Sequence, residues 1–242
     1  MRYKNILLKL SGEAISDENN IISKEMLDSI FYQVNYLVKK KNVKVSIVVG
    51  GGNIFRGEIS NSIGLGKDTS DADYMGMLAT IINALAFKAY FNNNNLNTEV
   101  LSAFKIENLI EKANAKNIKE ILDAKKVLIF GGGTGKPYVS TDTAAAMRAI
   151  ETKADVILMA KNGVDGAYSE DPNKSKDNIV FFDKLSYKDV INKDLKIIDH
   201  EMTLLLKGKN IDIILFNMNT KNNIINIYED KVVKKTIIKE VW

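Results

Sequence analysis

Four short stretches combine glycine with a basic or hydroxyl side chain. They are Lys9-Leu10-Ser11-Gly12-Glu13, Gly50-Gly51-Gly52-Asn53-Ile54-Phe55-Arg56-Gly57, Gly131-Gly132-Gly133-Thr134-Gly135-Lys136-Pro137 and Lys161-Asn162-Gly163-Val164-Asp165-Gly166. Glycine lets backbone N–H groups come close to an anion, and a helix starting just beyond adds its positive end. Lysine and arginine beside such a loop can neutralise charge as it develops on a phosphoryl group in transit. Two loops of this kind facing each other would hold two phosphorylated ligands, so Lys9 and Arg56 point to phosphoryl transfer. Asp71 and Asp73, before a helical stretch, and Asp142, in Ser140-Thr141-Asp142-Thr143, read equally as helix caps or as ligand-binding carboxylates.

What positions these loops is an alternation of two patterns. Near-continuous apolar runs at 5–10, 44–49, 126–130, 155–159 and 212–216 read as strands buried on both faces of a parallel sheet. Helical spacing runs through 23–41, with Leu27, Ile30, Phe31, Val34, Leu37 and Val38 on one stripe. Ser23 stands at its N-cap, and Lys39, Lys40 and Lys41 complement the far end of its dipole. Within 75–91 the same spacing selects Leu78, Ile81, Ile82, Leu85 and Ala89. Strand–helix alternation predicts βαβ units, a doubly wound sheet and a single domain over 1–242, with each glycine loop at a strand's carboxyl end. The segments 223–228 and 231–238 read as two strands of a C-terminal hairpin turning at Glu229-Asp230. The run Asn92-Asn93-Asn94-Asn95 reads as a solvent loop between a helix and a strand.

Composition excludes several classes. No cysteine is present, which removes disulfides and thiolate metal sites and agrees with a reducing, cytoplasmic setting. His200 is the sole histidine, so neither a zinc site nor a Ser-His-Asp triad is supported. Net charge is +4 with lysines spread along the chain, which indicates no nucleic-acid surface. No signal peptide and no uninterrupted apolar run of membrane-spanning length are read, so no membrane partner is expected. The stretch 131–137 imitates a P-loop and fails. Only three residues separate Gly131 from Gly135, and Pro137 stands where a magnesium-binding hydroxyl belongs.

Together the loops resemble those of the bacterial uridylate kinases, the UMP kinases of the amino acid kinase superfamily. The carriers are Lys9-Leu10-Ser11-Gly12-Glu13-Ala14, the loop 50–57, Asp73-Tyr74-Met75-Gly76-Met77-Leu78-Ala79-Thr80, the block 132–142, Val164-Asp165-Gly166-Ala167-Tyr168 and Phe216-Asn217-Met218-Asn219, in the expected order. The resemblance implies a three-layer α/β/α sandwich on a mainly parallel central sheet. It implies the reaction of ATP with UMP to give ADP and UDP, magnesium carried on the ATP phosphates with no resident metal site, and a homohexamer.

By position it also implies roles. Lys9 contacts the transferring phosphoryl group, Ser11 and Gly12 (with Leu10) serve the ATP phosphates, and Arg56 reaches between the nucleotides. Gly51 faces UMP, Gly52 faces ATP, and Asp73 meets the UMP ribose. Thr134, Gly135, Lys136, Pro137, Tyr138, Val139, Ser140 and Thr141 wrap the UMP phosphate and uracil. Asp142 orients Lys9, with Asp199 as a second candidate, and Asn162, Tyr168 and Asp171 border the adenine and ribose of ATP. Three departures stand out. Lys136 replaces an expected Asn, Ser16-Asp17-Glu18-Asn19-Asn20-Ile21 lacks the glycine-phenylalanine-glycine pattern of a GTP effector site, and 200–210 is lysine-rich. Two alternatives remain. Another superfamily kinase would carry different second-substrate loops at 73–80 and 134–141, and a non-catalytic nucleotide-binding regulator would not need Lys9, Arg56 and Asp142 together.

Overall fold

A computed structural model of the chain describes residues 3–56, 64, 70–170, 172, 179–195 and 197–242. Gly57 of the second loop and Asp171 therefore lie outside the described residues. The expected apolar runs become β1 (Asn5–Leu10), β2 (Lys44–Val49), β5 (Val127–Gly131), β6 (Val156–Lys161) and β10 (Asp212–Asn217). With β3 (Thr98–Ser102), β4 (Glu111–Lys112), β9 (Lys184–Ser186) and β11 (Lys235–Lys239) they form one nine-stranded sheet, ordered β4-β3-β5-β2-β1-β6-β10-β11-β9. Pairings are parallel except for β10 with β11. A separate ribbon pairs β7 (Ala167–Tyr168) with β8 (Phe181–Phe182).

Alternation along each strand sends side chains into two cores, which makes the fold three layers. Ile6, Leu8 and Leu10 enter one core with Ile30 of α1 (Lys24–Asn35) and Phe87 of α2 (Ser70–Asn93). Leu7, Ile157 and Met159 enter the other. They meet there Leu122 of α3 (Ala115–Asp123), Ala145 and Ala149 of α4 (Thr141–Thr152), Val190 of α5 (Tyr187–Asn192) and Met202 of α6 (His200–Leu206). Lys9 shares its side of β1 with Leu7, so the pleat directs it toward the α4 layer.

Two expectations are corrected. The C-terminal antiparallel pair exists, but its arms are β10 and β11, registered Ile213 with Ile238. The segment read as the first arm is a helix, α7 (Asn223–Tyr228). Its isoleucines favour strands in isolation, yet Ile224 and Ile227 pack into the first core, and the side chain of Gln33 accepts the Ile224 amide at 2.9 Å. Tertiary packing overrides propensity there.

Helix α2 also turns differently from expectation. Its buried face is Met77, Ile81, Ala84, Phe87 and Phe91, while Leu78 and Ile82 are 48% and 50% exposed. Apolar residues surround this helix, so periodicity alone does not choose a face. By length and mean hydropathy (1.2) it is long and apolar enough to cross a membrane. The burial of its phenylalanines accounts for that content as core.

Candidate active site

The carboxyl ends of β1, β2, β5 and β6 bring the four glycine loops together. The first two loops are in close contact: a Cβ on Gly12 would lie 2.3 Å from Asn53 Oδ1 and 2.7 Å from the Gly52 nitrogen. Glycine at position 12 is what allows the two backbones to touch. Asn53 is held by a reciprocal amide pair with the buried Asn83 of α2, at 3.1 and 2.7 Å, and Asn83 also donates to the Gly50 carbonyl at 2.8 Å. Arg56 Nε donates to the Gly52 carbonyl at 3.0 Å, and its guanidinium forms an ion pair with Glu13.

Behind this junction Lys9 Nζ lies 2.9 Å from Asp142 Oδ1, with both side chains under one-fifth exposed. Asp142 sits in the first turn of α4, which Ser140 caps by accepting the Thr143 amide at 3.0 Å. Burial pushes the Asp142 carboxyl up, but Lys9, Lys161 and an N–H bond from the Asp199 backbone outweigh it and hold the group below its usual range. Asp199 thus meets Asp142 through its backbone amide, while its carboxylate caps α6 at the Glu201 amide, 3.1 Å away. Burial, opposed by Asp142 and joined by Lys9, lowers the Lys161 ammonium.

The third loop forms a wall opposite α2. Gly132 and Gly135 adopt φ of +76° and +77°, and the Gly132 amide donates to Thr80 Oγ1 at 2.7 Å. Asp73 reaches out of its helix, and its Oδ2 accepts the Tyr138 amide at 2.6 Å. Capping its own helix therefore does not exhaust its role. Thr134 Oγ1 accepts the Lys136 amide at 3.3 Å, which closes the loop on itself. A cavity of about 230 Å³ lies between these elements, lined by Gly51, Asp73, Lys136, Val139 and Thr141 among others. A second cavity, of about 420 Å³, contains Lys9, Ser11, Gly12 and Arg56. The two share Gly51, Gly52 and Thr141.

The fourth loop closes the other side. Asn162 donates to Glu13 Oε2 at 3.2 Å and accepts from Asn219 at 2.9 Å. Tyr168 stands edge-on to Phe181, with centroids 5.1 Å apart, and Lys234 Nζ bonds the Tyr168 hydroxyl at 2.8 Å. A larger cavity, about 500 Å³, lies away from all four loops, beside Tyr3, Tyr228 and the β10–β11 pair. Its rim lysines Lys41 and Lys235 are already paired with Glu229 and Asp230 at 2.8 Å, so size alone does not make it the reactive site.

Residues 4–217 match the model of the amino acid kinase family. The chain belongs to that family. As an amino acid kinase it is 41% identical to a uridylate kinase of Mycoplasma capricolum over 98% of its own length and 99% of the relative's. It is 40% identical to the uridylate kinase of Ureaplasma parvum over 99% and 100%. The crystal structure of a UMP kinase from Ureaplasma parvum superimposes with a TM-score of 0.90 at 40% identity, covering 98% and 99% of the two chains. That of a UMP kinase from Bacillus anthracis does so at 0.91 and 33%, covering 100% and 98%.

Within this amino acid kinase, Asn83, Thr80, Lys161 and Glu13 also build the site, in roles that the sequence motifs do not assign. Asn83 carried a signal: an amide inside the apolar run Ile81-Ile82-Asn83-Ala84-Leu85 needs a buried partner. Glu13 carried none, because its partners Arg56 and Asn162 are distant in sequence.

Proposed function

We propose that this chain transfers the γ-phosphoryl group of ATP to the phosphate of UMP, giving ADP and UDP. The observation that carries the reading is the pair of adjoining cavities that share Gly51, Gly52 and Thr141. One is lined by Lys9, which Asp142 pairs from behind, and by Arg56, suited to a polyphosphate; the other offers Asp73 with Lys136, Val139, Ser140 and Thr141, suited to a nucleoside monophosphate. A UMP phosphate oxygen attacks the γ-phosphorus while the bond to the β–γ bridging oxygen breaks. That acceptor is ionised at neutral pH, so no general base is required, and positioning with charge neutralisation carries the step.

In this reading Lys9 and Arg56 offset charge on the moving group, and Asp142 fixes Lys9 with help from the Asp199 amide. Ser11, Gly12 and Gly52 supply donors to ATP, whose base and ribose lie against Asn162, Tyr168 and Asp171. Gly51, Asp73 and residues 134–141 hold UMP, with Asp73 at the ribose hydroxyls. Magnesium would be carried on the ATP phosphates, where it would neutralise part of their charge. The Asp142 and Glu13 carboxylates beside the clefts already face cations, so the donor set leaves such an ion to the ATP phosphates.

The same reading places the chain in pyrimidine nucleotide synthesis in the cytoplasm, as one domain over 1–242 that assembles as a homohexamer. The exposed outer face of α2, with Met75, Leu78 and Ile82, supports self-association. A coupled ADP-release assay with UMP, CMP, dUMP and AMP tests the acceptor. UMP should give the highest kcat/KM, and AMP turning over as well or better would defeat the proposal.

A further inference from the structure

Strands β1 and β6 are parallel neighbours in which Lys9 pairs with Met159. The pleat that turns Leu7 and Lys9 toward α4 does the same to Ile157, Met159 and Lys161, and Leu7, Ile157 and Met159 lie in one core. Lys161, the last residue of β6, thus enters the α4 layer from the adjacent strand. Its Nζ donates to the Ile197 carbonyl at 2.5 Å, in the turn that leads to Asp199 at the start of α6. Asp142 is therefore approached from three elements: by Lys9 of β1, by Lys161 of β6 and by the turn before α6.

We infer that Lys161 is a positioning residue for phosphoryl transfer, the second cation of a Lys9–Asp142–Lys161 cluster, and this rests on the roles given above to Lys9 and Asp142. An isolated Lys9–Asp142 pair is neutral and would offer the transferring group little net charge. With Lys161 the cluster carries one net positive charge in a partly buried setting, where charge is weakly screened. Lys161 also ties down the 197–199 turn and so holds the Asp199 amide on Asp142. Asp142 stays below its usual range despite burial, with Lys9 first and Lys161 second among the charges that hold it there, while burial lowers the Lys161 ammonium against the pull of Asp142. Among the described residues, two neighbouring carboxylates have partners of their own. The Asp199 carboxylate accepts the Glu201 amide, and Glu201 accepts the Thr143 hydroxyl at 3.3 Å.

Three variants test this. Lys161→Met should lower kcat by about tenfold to a hundredfold, as loss of a charge stabiliser does, with KM for UMP and for ATP changed less than about threefold. Its acid limb in the kcat–pH profile should move to higher pH, because Asp142 loses one of the cations that keep it ionised. Lys161→Gln keeps an amide to bond the Ile197 carbonyl and removes only the charge, so it should melt like the parent while losing kcat nearly as far. Lys161→Ala should regain turnover with added ethylamine in a dose-dependent way. A Gln variant with kcat within about threefold of the parent, or a loss with an unmoved acid limb and no amine rescue, overturns the inference. Lys9→Met separates the two levels. If it too keeps full turnover, the reading of the cluster fails; if it alone is inactive, only the role of Lys161 fails.

Discussion

Replacing Gly12 by alanine puts a methyl group where the first and second loops touch. The added carbon would sit 2.3 Å from Asn53 Oδ1, 2.7 Å from the Gly52 nitrogen and 2.9 Å from the Asn53 nitrogen. Ordinary contact needs about 3.4 Å, so the loops must separate by roughly 1 Å, and Asn53 cannot swing aside because Asn83 holds it at 2.7 Å. A misplacement of about 1 Å costs on the order of a hundredfold in rate, about 2.7 kcal/mol of transition-state stabilisation. Gly12→Ala should therefore lower kcat/KM about a hundredfold in a coupled ADP-release assay at varied UMP and saturating ATP. Gly208→Ala is the control. Gly208 adopts φ +74° with open space around it, so alanine should cost about 1 kcal/mol of stability and leave the kinetics unchanged. A Gly12→Ala enzyme within about threefold of the parent would refute the claim that this contact sets the loop spacing.

Lys9→Met should reduce kcat at least about a hundredfold while calorimetry still detects UMP binding; unchanged turnover would reject Lys9 as the charge stabiliser. Asp73→Asn should mainly raise KM for UMP and weaken the Tyr138 amide bond, now 2.6 Å, and an unaltered KM would return Asp73 to a structural role. Asp142 has a folded pKa below its unfolded value, so its stabilisation is fully present above the unfolded carboxylate range near 4 and is lost as pH falls through the folded value. Asp142→Asn should therefore destabilise by about 3 kcal/mol at neutral pH, and denaturant titrations across pH should show the gap to the parent closing in acid.

How much of this was legible beforehand depended on the kind of signal. The strands at 5–10 and 44–49 announce themselves because a strand covered on both faces is apolar at most steps. The loops followed from recurrence: one glycine run at a strand end reads as a tight turn, but four of them, two with a basic residue nearby, read as phosphate cradles. The buried face of α2 was not legible: Leu78 and Ile82 are as apolar as Ile81 and Phe87, and only the sheet decides between them. The segment 223–228 misled because isoleucine favours strands, while the Gln33 bond that starts the helix comes from 191 residues away. Lys161 was legible in principle. Leu7-Leu8-Lys9 and Met159-Ala160-Lys161 place a lysine at the same phase of two neighbouring strands.

Helix α2 serves as a splint. From a single face Asp73 takes the Tyr138 amide, Thr80 takes the Gly132 amide, and Asn83 braces Gly50 and Asn53. Two loops from distant parts of the chain are thereby fastened to one rigid rod, whose other side presents Met75, Leu78 and Ile82. The rod is about 10 Å thick. A push on its outer side is delivered to both loops at once, so the nucleotide clefts are tuned in unison and not loop by loop.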